Sequence, residues 1–135
     1  MSSYASPVVP SRSRTVAYWI TTVLLAVECA VGGVLDVFQF PPFLETLARL
    51  GYPAYFSVIL GVWKLLAVVA LLAPRSATLK EWAYAGIFFN MTGAAASHLA
   101  VGEGSGALVG PLAFTGLTLA SWALRPPARR DFQPR

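Results

Sequence analysis

The chain has 135 residues, 56% of them apolar and only 12% charged, against about 25% charged in soluble domains. That balance argues against an ordinary soluble enzyme and points to a membrane, and the length supplies one domain. The net charge of +4 sits in short basic flanks beside apolar runs, the distribution of membrane topology signals, so no nucleic-acid partner is expected.

Residues 1–14, MSSYASPVVPSRSR, are rich in Ser, Pro and Arg, lack periodicity and read as a flexible tail. The run Val16–Phe38 follows. It is too long for the apolar core of a signal peptide and carries Glu28, so it reads as a retained helix. Cys29, the single cysteine, lies in this run. One cysteine forms no intrachain disulfide, redox pair or cysteine-based zinc site, and here it reads as a small buried hydrophobe.

In the next stretch, FPPFLETLARLGYP, Phe40, Phe43, Leu44, Leu47 and Leu50 recur at helical spacing, and Glu45 stands four residues before Arg49. Prolines open it and Gly51 closes it. A short amphipathic helix lying in the interface or capping a bundle is expected. Three more apolar runs come after it: Ala54–Leu72, Trp82–Val101 and Ala107–Leu124. Each has about the twenty residues a helix needs to cross some 30 Å of hydrocarbon. Helices satisfy their own backbone in lipid, and the alternation of a barrel is absent. The expected fold is therefore all-α: an integral membrane four-helix transmembrane bundle over residues 15–124, with a short amphipathic interfacial helix between the first two spans. Residues 125–135 read as a second tail.

Basic residues set the orientation. Arg12, Arg14, Arg75, Lys80, Arg125, Arg129, Arg130 and Arg135 share one side, and Arg49 stands alone on the other. The positive-inside rule puts both termini in the cytoplasm. Trp19, Trp82 and Trp122 mark the inner interface, Tyr52 and Tyr55 the outer one.

An ionised side chain at mid-bilayer costs roughly 2.5–3.5 kcal/mol on insertion scales, so the polar residues within the runs need partners. Glu28, Lys64 and Asn90 fall near the middle of the first three spans. Thr21, Leu25, Glu28, Gly32 and Asp36 share a face of the first, Ser57, Gly61, Lys64, Val68 and Leu71 a face of the second. Gly86, Asn90, Gly93 and Ser97 form a stripe on the third. A Glu28–Lys64 pair with Asn90 nearby is expected. Asp36 and the one histidine, His98, each lie two turns further out, at a depth that suits a carboxylate–imidazole hydrogen bond. Thr115, Thr118 and Ser121 are expected to bond back to their own helix. One histidine without a spaced partner makes no zinc site.

The stretch from LGYP through G-x-x-K at Gly61–Lys64, Ala-Pro-Arg, EWAYAG and AAASHL resembles the DoxX-like family of small bacterial membrane proteins over most of residues 15–124. The resemblance implies four membrane helices in a bacterial inner membrane. Family members usually carry an acidic residue where this chain has Asn90. The family takes its name from a subunit associated with a thiosulfate:quinone oxidoreductase, which implies a quinone as cofactor and a membrane redox protein as partner. Three functions stay open in the sequence: an accessory subunit of a quinone-linked redox system, a small proton-coupled transporter, or a non-catalytic assembly protein. The polar interior of Glu28, Asp36, Lys64, Asn90 and His98 would serve any of them.

Overall fold

The computed structural model describes residues 11–74, 76–126 and 129. They form five helices: α1 (Arg12–Val37), α2 (Pro41–Arg49), α3 (Ala54–Leu72), α4 (Ala77–Ala100) and α5 (Gly106–Leu124). Most of the expected tails, residues 1–10, 127, 128 and 130–135, lie outside the described residues, as does Arg75. The first helix starts at Arg12 rather than Val16, because Ser11 caps it, its hydroxyl accepting from the Arg14 N–H.

The four long helices run alternately up and down, so both ends of the described chain lie at the same end of the bundle. There the side chain of Arg14 donates to the carbonyl of Ala123 at 2.9 Å. α1 packs along α3 and α5, and α4 packs along the same two. α1 and α4 therefore face each other across the diagonal. α2, with no fully buried residue, leans on α3 at the opposite end, as its amphipathic pattern predicts.

Three of the helices, α1, α3 and α5, are long and apolar enough to cross a membrane. Their outer faces carry Ile20, Val27, Val31, Trp63, Val69 and Val109 in the open, as lipid-facing surfaces do. α4 is long enough at 24 residues. Lys80, Glu81, Asn90, His98 and its many small residues dilute its apolar character, so the expected fourth span does not stand out by hydropathy.

The tightest seam joins α1 to α3. A Cβ added at Gly61 would lie 2.6 Å from the carbonyl oxygen of Gly33 and 2.6 Å from Val37 Cγ2. The two backbones meet where only glycine fits, the small-residue packing typical of membrane helices. Next to it the Ser57 hydroxyl donates to the Asp36 carbonyl at 2.7 Å. The apolar core lies toward the other end, where Leu25, Cys29, Leu71, Tyr84, Ile87 and Met91 pack together.

The stripe expected on α4 is displaced. Gly86 and Gly93 are exposed, with nothing near a Cβ built on either. The face turned inward is Lys80, Tyr84, Ile87, Met91 and Ala95, spaced by four, three, four and four. The two glycines of the expected stripe stand on the outer side of this helix, together with Trp82 and Phe89.

Candidate functional site

Glu28, Gly32 and Asp36 follow one another at steps of four along α1, and Lys64 faces them from α3. Gly32 supplies the space between. A Cβ there would stand 3.2 Å from Lys64 Nζ and 3.3 Å from Glu28 Oε1. Lys64 Nζ lies 2.9 Å from Asp36 Oδ2 and 3.9 Å from Glu28 Oε1. The Glu28–Lys64 pairing is thus present, but Asp36 is the nearer partner. The helix direction explains why. Side chains lean toward the N-terminus of their own helix, and the N-terminus of α3 lies at the end of the bundle where α1 finishes, on the Asp36 side.

All three groups are withdrawn from solvent, with side-chain exposures of 4% for Asp36, 14% for Lys64 and 18% for Glu28. Removing charges from water is costly unless each finds its opposite. Here one ammonium serves two carboxylates. The Cys29 thiol donates to Glu28 Oε2 at 3.5 Å.

Asn90 and His98 do not join this triad. Asn90 is half-buried on α4 and, among the described residues, makes no hydrogen bond with Glu28 or Lys64. The expected Asp36–His98 contact is replaced by one between His98 Nδ1 and the Glu103 carboxylate. Asp36 and His98 sit on the diagonal helices, and a local partner reaches the imidazole first. Gly102, at φ +76, turns the chain back past the end of α4, and the Glu103 N–H bonds the His98 carbonyl at 3.0 Å.

Arg49 on α2 completes that outer cluster, its Nε lying 3.4 Å from Glu103 Oε1. The expected Glu45–Arg49 pair gives way to this longer-range one. Beside it, the hydroxyls of Tyr52 and Ser97 share a hydrogen bond of 2.8 Å. The His98 hydrogen bond, with help from Arg49 and against some desolvation, holds the Glu103 carboxyl below its ordinary range.

A second polar group, not foreseen in the sequence, lies near the termini. The Ser121 hydroxyl is 2.6 Å from that of Thr22 and 2.7 Å from that of Tyr84, with Tyr18 fully buried in the same region. Ser121 thus bridges helices instead of bonding back. Thr115 and Thr118 do bond back, to the carbonyls of Pro111 and Phe114. Lys80 is completely buried and donates to the Ala70 carbonyl at 3.2 Å and to that of Ala73. Arg125, also buried, pairs with Glu81 and stacks over the Tyr84 ring. The period of the Lys80–Tyr84–Ile87 stripe was the one signal that could have found this region.

A model of the DoxX-like family matches residues 20–121. The chain belongs to the DoxX-like family. No curated protein and no solved structure gives a significant match. The matched stretch includes the triad, the glycine seam and the outer cluster of this DoxX-like membrane protein.

The quinone implied by the resemblance does not fit at the triad. The Gly32–Gly33–Gly61 seam brings the helices too close for a ring to enter. Two apolar depressions lie on the outer side of α1, and neither is lined by Glu28, Asp36 or Lys64.

Proposed function

We propose that this DoxX-like protein is a non-catalytic accessory subunit of a membrane redox system, with any quinone held by its partner. It crosses the bacterial inner membrane four times, with both termini in the cytoplasm. The observation that carries this reading is the ion pairing of Lys64 with Asp36 and Glu28 beside the tight Gly33–Gly61 seam. The triad then sets the register of α1 against α3, a use well attested for buried ionic groups.

Support for α4 as the fourth span comes from its length, about 36 Å at 1.5 Å per residue, and from its packing along α3 and α5. Support for the orientation comes from Arg12, Arg14, Lys80, Arg125 and Arg129, gathered where the two ends of the described chain meet. A second reading, a proton-coupled carrier, draws on one observation: two carboxylates and one ammonium meet between α1 and α3.

The test is purification from the native membrane in mild detergent, followed by mass spectrometry of proteins and small molecules. The accessory reading expects a redox protein at stoichiometric ratio and no quinone on the chain once that partner is removed. Stoichiometric quinone on the isolated chain, lost in the Glu28→Gln/Lys64→Met double variant, would refute it. Proton uptake by vesicles containing the isolated chain would favour the carrier.

A further inference from the structure

We propose that the end of the bundle where α1 begins and α5 finishes holds an anionic phospholipid, its phosphate on Arg129 and an acyl chain in a groove along α1. The groove is a shallow, open strip on the outer face of one helix, lined by Thr15, Val16, Trp19, Ile20, Val23 and Leu24. It runs roughly 14 Å along the helix at 1.5 Å per residue, and its position on the outer side of a membrane helix makes a hydrocarbon chain its natural occupant.

Charge at its head distinguishes this groove from ordinary lipid-facing surface. Trp19 forms part of its wall, and the Arg129 guanidinium lies 4.7 Å from the centroid of that ring. Arg129 spends one N–H group on the Leu71 carbonyl at 3.2 Å, and a guanidinium has five to offer. Lys80 meets the same end of α3 through the carbonyls of Ala70 and Ala73, so it stands close to Arg129. Arg125 has a buried Nη1 without a hydrogen-bond partner among the described residues.

Among the described residues of this end, Arg12, Arg14, Lys80, Arg125 and Arg129 face a single carboxylate, Glu81, which Arg125 already occupies. An anionic headgroup is complementary to this basic cluster, and a phosphate matches the planar donors of arginine. The groove selects a phosphate that carries a chain over one that is free. The second apolar depression, lined by Ala30, Val31, Val34 and Leu35, contains no basic residue and serves as the internal control.

Native mass spectrometry on the full chain, delipidated and returned to nanodiscs of phosphatidylcholine with and without phosphatidylglycerol, tests the proposal. Phosphatidylglycerol should be retained in preference to phosphatidylcholine, and Arg129→Gln should lower that retention about fivefold, the effect of one basic residue near a membrane surface. Arg129→Lys should recover part of it. Val23→Trp, placed on an exposed face where it leaves the packing alone, should lower retention by filling the groove. Val31→Trp should not. Equal retention of both lipids, indifference to Arg129→Gln and Val23→Trp, or displacement of the lipid by millimolar inorganic phosphate would each overturn the proposal, the last by revealing a site for a free anion.

Discussion

Lys64 and Lys80 are both drawn into the bundle, and they are accommodated in opposite ways. Lys64 lies mid-helix, where the backbone carbonyls are already committed to intrahelical hydrogen bonds, so it depends on the carboxylates of Asp36 and Glu28. Lys80 lies against the C-terminus of α3, where the last carbonyls have no intrahelical partner and the helix dipole favours a cation. It needs no carboxylate and takes the carbonyls of Ala70 and Ala73. In the middle of a membrane helix a buried cation requires opposite charge. At a helix end the backbone can suffice.

The contrast is most exposed by removing one charge at a time. Lys64→Met leaves Asp36 and Glu28 facing each other without a cation, and should destabilise the protein by about 3–5 kcal/mol, the usual loss when one partner of a buried pair is deleted. Thermal unfolding in detergent would measure it. Gly61→Ala tests the seam that brings the triad together. Its new methyl would meet backbone atoms of Gly33 and Val37, and about 1–3 kcal/mol should be lost to overpacking. Lys80→Met should cost less than Lys64→Met, about 1–2 kcal/mol, because it strands only carbonyls at a helix end. Equal losses for the two lysine variants would dissolve the distinction between them.

The smallest effect is expected at the outer cluster. The folded-state carboxyl of Glu103 is held below its ordinary range by His98 and Arg49. Its contribution is therefore present above the usual carboxylate range and lost as pH falls through the lowered value. Amide exchange in α2 and the α4–α5 turn should rise on acidification through that window, and Glu103→Gln should raise it at neutral pH and flatten the profile. An unchanged profile in Glu103→Gln would show that α2 is held by its apolar face alone.

The same contrast explains what could be read from the sequence. Apolar runs and their breakers define the long helices to within a few residues at most ends, and the phenylalanine and leucine spacing before Gly51 defines α2. Glu28 and Lys64 were legible as partners because each is an unmistakable cost in lipid and their depths match, whereas Asp36, the nearer partner of Lys64, was assigned to a different layer. The partners of Lys80 and Arg129 were not, since backbone carbonyls leave no mark in a sequence. Nor does a sequence say which helices stand on the diagonal, which is why His98 was assigned to Asp36 and Asn90 to the triad. The exposed glycines of α4 misled for a related reason: small residues line tight seams, as Gly33 and Gly61 do, but they occur on lipid-facing sides as well. His98 could have been placed by the Gly102–Glu103 pair after it, because a glycine beyond a helix end folds the next side chain back over the last turn.

The most direct measurement is a pair of double-mutant cycles in the same detergent, one combining Lys64→Met with Asp36→Asn, the other combining it with Glu28→Gln. A shared triad with Asp36 as the nearer partner predicts coupling in both cycles, with the larger value for Asp36–Lys64. Coupling confined to Glu28–Lys64, or absent from both, would contradict it.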